Sequence, residues 1–438
     1  MQALRIGILG FGTVGKGTAR LLLEQAALLE NRAGMPLQLV HIADRDPGQA
    51  HDVDLQGVPL TAEVDRVVRG EDIDVVVELI GGVTAARQFV REALLAGKHV
   101  VTANKALLAE QGADLFALAR ECHRELGFEA AVAGAVPIVK ALREGLAANR
   151  IESLYGILNG TCNYILTRML NEGLPFGQVL KEAQEQGYAE ADPGLDIDGI
   201  DAAHKLALLA ALAFDTPVEF SSLHIEGIRN ISDVDIAWAR EMGFRIRLLG
   251  IAKQKESALS LRVHAAMVPA NSMLGSVNGV FNAILTHGSH AGTSLFYGRG
   301  AGSAPTASAV VADLIDIARN LRAGQKEPRL PGAGFLLGGK PLPQDVEPVE
   351  ALQGRYYIRM TVEDVPGVLA DVTTILKSNR VSISAIHQTP NAKVAAVPLV
   401  MVTHQTEERQ VQQCLRQFRL LESLREGPFM IRIEEMPA

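Results

Sequence analysis

The sequence predicts an α/β protein in three parts: a parallel sheet covered on both faces, an α+β middle, and a small β-α-β-β-α-β tail. Three observations carry this. The N-terminal third alternates short β-type runs with longer helical ones, the pattern of strands joined by helical crossovers. Residues 324–349 hold five glycines and five prolines in 26 positions, a composition that suits a linker or extended connection and no helix. At 438 residues the chain is also too long for one ordinary core.

Residues 4–9 read as a buried strand, followed by Gly10-Phe11-Gly12-Thr13-Val14-Gly15 and a helix through Leu21, Leu22 and Leu23. Residues 37–43 form a second strand that ends at Asp44-Arg45-Asp46. Residues 73–80 form a third, stopped by Gly81-Gly82, with a helix over 84–96 behind it. A fourth strand, 99–102, leads into Ala103-Asn104-Lys105. These elements make a first domain over residues 1–135. The middle, 136–304, mixes helices (175–186, 200–214) with the strand-like alternation of 258–267. A helix over 305–320 has Pro305 in its first turn and Val310, Leu314 and Ile317 on one face, and is expected to return to the first domain. After the 324–354 connection, residues 355–438 restart with strands near 356–362, 381–386, 397–403 and 429–433 and helices near 368–377 and 407–417. That order is the ferredoxin-like unit.

Charge excludes several partner classes. The chain has 42 basic against 50 acidic side chains, a net of −8, and no run of five Lys/Arg, so nucleic acid and anionic membranes are not expected. The longest apolar stretch in the likeliest membrane candidate, 206–214, is nine residues, whereas a bilayer span needs roughly 20. The apolar start lacks a basic n-region, so a cytoplasmic protein is expected. Cys122, Cys162 and Cys414 are far apart and not in metal-ligand spacing, which argues against disulfides and zinc. Cys162 reads as a small buried residue. His287 and His290 are expected in a loop.

Gly10-x-Gly12-x-x-Gly15 directly follows a strand and opens a helix, the context in which this spacing binds a dinucleotide. The first glycine permits the turn, the second lets backbone approach a pyrophosphate, and the third lets helix and strand pack closely. Asp44 suits a free ribose 2′-hydroxyl and Arg45 a 2′-phosphate. The two point to NAD and NADP respectively; the balance falls on NADP, with dual use open.

Residues 183–205 are the most informative. Five carboxylates (Glu190, Asp192, Asp196, Asp198, Asp201) precede Lys205 within 16 residues. Asp201 and Lys205, four apart, share one helix face at the mouth of the apolar run 206–214, where a polar pair needs a reason.

Taken together, Gly10 to Gly15, Glu78-Leu79-Ile80-Gly81-Gly82, Thr102-Ala103-Asn104-Lys105, Asn159-Gly160-Thr161, residues 183–205 and Tyr297-Gly298-Arg299-Gly300-Ala301-Gly302 resemble the homoserine dehydrogenase family. The motifs stand in family order over residues 1 to about 320. Residues 355–438, with Asp364-Val365-Pro366-Gly367-Val368-Leu369, resemble an ACT domain, and no aspartate kinase segment is present. The resemblance implies a Rossmann-type first domain and a middle domain for substrate binding and dimerisation. The implied reaction is the reversible NAD(P)-dependent reduction of L-aspartate 4-semialdehyde to L-homoserine, feeding threonine, methionine and isoleucine synthesis.

Residue by residue, it implies Lys205 as proton donor and Asp201 as its orienting partner and a substrate contact. Glu190, Asp196, Tyr188 and Thr161 would face the substrate, and Lys105, Gly187 and Gly302 the cofactor. Glu129 with the carbonyls of Val132, Gly134 and Val136 would hold a monovalent cation, Na+ or K+. The tail would bind threonine near Gly367 or serve assembly, in a homodimer or homotetramer. Two rival readings are another NAD(P)-dependent reductase of an amino-acid-derived aldehyde, and a non-catalytic dinucleotide and amino-acid sensor. The intact Lys105, Asp201 and Lys205 argue against the sensor, which has no need of a proton donor.

Overall fold

Leu4–Leu9, Leu37–Ala43 and Val75–Glu78 are apolar at most positions and His99–Thr102 is centred on two valines, so each needs cover on both faces. In the computed structural model, which describes residues 3–48, 51–256, 258–330, 343–388 and 396–437, they join one parallel sheet. Its order is Leu60–Thr61, Leu37–Ala43, Leu4–Leu9, Val75–Glu78, His99–Thr102, Leu126–Gly127. The chain winds outward from Leu4–Leu9 one way and from Val75–Glu78 the other. A crevice opens at the carboxyl ends of these two strands, the doubly wound switch point.

The helix Ser303–Arg322 returns to this sheet, as its apolar face predicts. Val310, Leu314 and Ile317 are buried in one core with Leu4, Ile6 and Ile8. Its first turn lies against the helix Thr13–Glu24, where Ser303 Oγ donates to the Thr13 carbonyl at 2.8 Å. A Cβ on Gly17 would come within 2.5 Å of that hydroxyl oxygen, so glycine sets the approach.

The second sheet runs Gly292–Arg299, Phe281–Gly288, Ile151–Ile157, Phe244–Gln254, Ala258–Pro269, Leu424–Ile433, Gln353–Glu363, Ala396–Thr403, Ile383–Gln388. The last four strands have the ferredoxin-like order, with the helices Val368–Ser378 and Glu408–Phe418 completing the unit. Middle and tail are therefore one continuous sheet, joined where Ala266 pairs with Arg432 and Met267 with Ile433 in parallel. Of the connection, Asp345–Val346 lies parallel to Ala258–Leu259, and residues 331–342 fall outside the described residues.

The helix Ile200–Ala213 is buried from Asp201 to Ala211, as its composition demands. Among the described residues no helix is long and apolar enough to cross a membrane. One expectation needs correction. His287 is not in a loop: it sits in Phe281–Gly288, opposite Thr293, with Nδ1 3.0 Å from that hydroxyl. The hairpin turns only at Gly288–Gly292, so the strand outlasts its apolar run.

Candidate active site

The glycine-rich turn leaves the carboxyl end of Leu4–Leu9. A Cβ on Gly10, whose φ is +97°, would fall 2.7 Å from the Leu79 carbonyl oxygen, and one on Gly15 2.1 Å from that of Gly10. Among the described residues nothing lies within 4 Å of a Cβ on Gly12, which leaves that side of the turn open, at the N-terminus of Thr13–Glu24. Such a cradle fits a pyrophosphate. Asp44 braces it by accepting from the Phe11 amide at 2.5 Å and the Asp46 amide at 2.9 Å. The Arg45 side chain is 93% exposed, with Asp46 beside it at 3.4 Å.

The next two strand ends are tied by Glu78. It accepts from the Ile80 and Gly81 amides and, at 2.6 Å, from the Thr102 hydroxyl. Burial raises its carboxyl even so. Asn104 caps the helix Lys105–Glu121 by accepting from the Leu107 amide, and donates to the Gly82 carbonyl at 2.6 Å. This fixes Lys105 at the crevice edge.

The other wall comes from the middle sheet. Asn159 caps the helix Gly160–Glu172 through the Cys162 amide, and its Nδ2 donates to Asp196 at 2.7 Å and to Asp201 at 2.8 Å. Lys205 Nζ donates to Asp201 Oδ2 and to the Leu158 carbonyl, both at 2.7 Å, and Asn282 shares that carbonyl at 2.9 Å. Lys105 Nζ lies 3.1 Å from the other Asp201 oxygen. That contact brings the two sheets together at one point.

Burial opposes ionisation of Asp201, but the Lys205 and Lys105 ammoniums outweigh it and hold the carboxyl well below its usual range. Asp196 goes the other way: burial, then the Asp201 charge, raise it. An ammonium has three donors, and Lys205 uses two of them here.

The remaining predicted residues are placed unevenly. Thr161 Oγ donates to the Tyr188 carbonyl at 2.8 Å, and the Tyr188 ring lies on Tyr164. Gly187 precedes it at φ +74°. Glu190 is exposed, and its backbone carbonyl, not its carboxylate, is the group engaged, by Gln184. Gly302 caps Ser303–Arg322 beside the glycine-rich turn. His204 faces away from the cluster, 3.1 Å from Glu110 and stacked on Phe220. Cys162 is buried, which pushes its thiol well up.

Glu129 is buried, its two oxygens accepting from the Val139 and Lys140 amides at 3.0 and 2.8 Å. Burial and the Asp313 charge push its carboxyl up to about 7. The Val136 carbonyl accepts from Ile138, and Gly134 turns at φ +53° between Val132 and Val136.

The sequence places Asn159 in a family motif without giving it a role, and does not single out Asn282 or the Leu158 carbonyl. Asn159 had a signal, an Asn directly after a strand and before a helix. A backbone carbonyl has none, and Asn282 lies 124 residues from its partner.

The comparisons with known proteins agree along the whole chain. Family models described as homoserine dehydrogenase, as its NAD binding domain and as ACT domain match residues 137–315, 10–129 and 356–419. A homoserine dehydrogenase of Pseudomonas aeruginosa is 44% identical over 440 residues, covering 100% of both chains. The crystal structure of one from Thiobacillus denitrificans gives a TM-score of 0.92 at 44% identity, covering 99% of each chain. A hyperthermophilic archaeal homoserine dehydrogenase in complex with NADPH gives 0.62 at 28% identity, covering 72% of this chain and 98% of the other. With its cradle, its buried Asp201–Lys205 pair and these relatives, the chain belongs to the homoserine dehydrogenase family, NAD(P)-dependent oxidoreductases acting on a CH–OH group.

Proposed function

We propose that Lys205 is the proton donor when this chain reduces L-aspartate 4-semialdehyde to L-homoserine. The observation that carries this is the saturation of its surroundings. Asp201 and the Leu158 carbonyl take two of the lysine's donors and fix its position, leaving one for the oxygen of the reacting carbonyl. As that oxygen gains charge, a held ammonium both stabilises it and supplies the proton. Asp201, kept ionised, holds Lys205 and Lys105 on opposite oxygens. Asp196, and Tyr188 and Thr161 beside it, face the substrate, with carboxylate complementing its α-ammonium. Glu190 would join them only by turning inward from its exposed position.

When bound, the reduced nicotinamide supplies the hydride. Gly10 to Gly15 cradle the pyrophosphate, and Lys105, Gly187 and Gly302 border the nicotinamide half. The exposed Arg45 favours NADP over NAD, a choice consistent with the archaeal relative's NADPH. Glu129 and the carbonyls of Val132, Gly134 and Val136 suit Na+ or K+, since a buried carboxyl held near neutrality gains most from a cation. Threonine binds the tail at the Gly367 turn. There Val365, Leu369 and Ile386 are exposed apolar residues, a surface suited to pairing in a homodimer or homotetramer. The protein acts in the cytoplasm.

The test is cofactor oxidation with aspartate 4-semialdehyde, using NADPH and NADH in parallel, with and without threonine. Turnover with NADPH that Lys205→Ala cuts by about 10²-fold or more is expected. A loss under about tenfold in Lys205→Ala removes the donor role, and a rate indifferent to saturating threonine removes the effector role.

A further inference from the structure

The tail reaches the substrate wall through one buried arginine. Arg432, 2% exposed, lies on Leu424–Ile433. Its Nε and Nη2 donate to Glu408 of the tail at 2.7 and 2.5 Å. Its Nη1 and Nη2 donate across the seam to Glu226 of the middle at 2.7 and 3.0 Å. Such a bidentate guanidinium fixes the carboxylate in both direction and distance.

Glu226 opens a short segment that grips the substrate loop. The Glu226 amide is pinned to the Val263 carbonyl at 2.8 Å, and the Ile228 amide donates to the Ile197 carbonyl at 2.8 Å. Between them, Gly227 is pressed on the loop so closely that a Cβ would fall 1.9 Å from the Ile197 oxygen. A Cβ on Gly199 would likewise come 3.1 Å from the Glu226 carbonyl. Two residues further, Arg229 pairs with Asp198. The gripped stretch, 196–201, begins with Asp196 and ends with Asp201, the two carboxylates held by Asn159.

We infer that Arg432 is a positioning residue for the substrate: through Glu226 it sets where residues 196–201 stand, so that the docked tail tunes substrate affinity in its own chain. This rests on the reading of Asp196 and Asp201 as the substrate-facing wall. It assigns the tail a role that needs no effector and no second subunit. Lys205 keeps its second anchor, the Leu158 carbonyl, and the glycine-rich turn stands outside the gripped stretch, so loss of the grip acts first on the substrate.

The experiment is steady-state kinetics on the full chain for Arg432→Met, Arg432→Lys, Glu226→Gln and the double Arg432→Met/Glu226→Gln, with active sites counted by NADPH binding. Arg432→Met is expected to raise KM for aspartate 4-semialdehyde by about tenfold. Its kcat per active site should change much less, and KM for NADPH should not move. Glu226→Gln, which keeps volume, should give the same signature, the double should be no worse than the larger single, and Arg432→Lys should restore part of the affinity. A merely structural arginine lowers the number of active sites and leaves KM alone, and that result overturns the proposal. So do additive effects in the double. Asp196→Asn separates the underlying reading: if it leaves KM unchanged while Arg432→Met raises it, the role given to Asp196 fails and the coupling stands. If Asp196→Asn raises KM and neither Arg432→Met nor Glu226→Gln does, the coupling fails.

Discussion

Two buried charge clusters pack against the middle sheet, and they differ in what they bridge. In the seam the charges bridge middle and tail: Arg432 sits between Glu408 and Glu226, Arg262 and Lys253 share Glu434, and Arg359 and Tyr357 meet on Asp235. Around Asp201 the carboxylate is over-supplied, with Lys205, Lys105 and Asn159 all on it, and the lysine has a donor to spare. Burying charge is costly in both places. In the seam the pairs hold two parts of a sheet together. At the crevice between the two sheets, the same cost leaves Lys205 with a donor for a group that enters.

Removing one member of each cluster separates the two. Lys205→Ala should cut kcat by about 10²- to 10⁴-fold, with NADPH binding retained. A loss under tenfold would place the donor elsewhere. Glu434→Gln should do the reverse. Leaving Arg262 buried beside a neutral amide is expected to cost about 3–5 kcal/mol in denaturant unfolding, with kcat and KM of the folded fraction unchanged.

The seam prediction carries a pH sign. Burial opposes the Glu434 charge, but Arg262 and Lys253 outweigh it and bring the carboxyl down to about 2. A depressed folded pKa stabilises above the ordinary carboxylate range, and that stability is lost as pH falls toward 2. The wild type should therefore lose stability through this window faster than Glu434→Gln. Equal acid slopes would mean that Glu434 is not the paired anion described.

How legible each cluster was follows from distance along the chain. Asp196, Asp201 and Lys205 fall in one short run, so spacing alone puts two of them on a helix face before an apolar stretch that must be buried. The strands of the parallel sheet were legible for a similar reason, since apolar runs and glycine stops are local. Arg262 and Glu434 are 172 residues apart, and Arg432 and Glu226 are 206. Each alone reads as an ordinary surface charge on a strand. The fusion of middle and tail into one sheet was invisible too, because edge pairing is made by backbone and leaves little side-chain pattern. Glu190 shows the converse: its place in a legible run did not put its carboxylate in the cluster.

A smaller effect sharpens the cofactor side. Arg45→Ala should raise KM for NADPH by about tenfold, the loss of one charge-assisted contact at an exposed site, and leave KM for NADH nearly unchanged. Asp44 is already engaged by the Phe11 and Asp46 amides, so its removal should weaken both cofactors by loosening the turn. If Arg45→Ala affects both equally, the guanidinium does not read the 2′-phosphate.

The smallest expected effect concerns a third buried carboxyl, neither saturated nor catalytic. Glu129 is held at about 7 by burial and by Asp313, against which the Val139 and Lys140 amides and the Lys140 charge pull only partly. Because its folded pKa is raised, the folded chain keeps a proton that the unfolded chain releases. Stability from this group is therefore lost as pH rises from the ordinary carboxylate range to about 7, and stays lost above it. A monovalent cation favours the ionised form and should restore part of the loss. At pH 8, K+ or Na+ should raise the apparent Tm by about 2–4 °C over choline at equal ionic strength. At pH 5 the same exchange should do nothing. Glu129→Gln carries no charge to be relieved, so it should be more stable than the wild type in choline at pH 8 and indifferent to the cation. An equal response in the variant would locate any cation effect away from Glu129. A variant less stable than the wild type at pH 8 would show that the two amide contacts outweigh the buried charge.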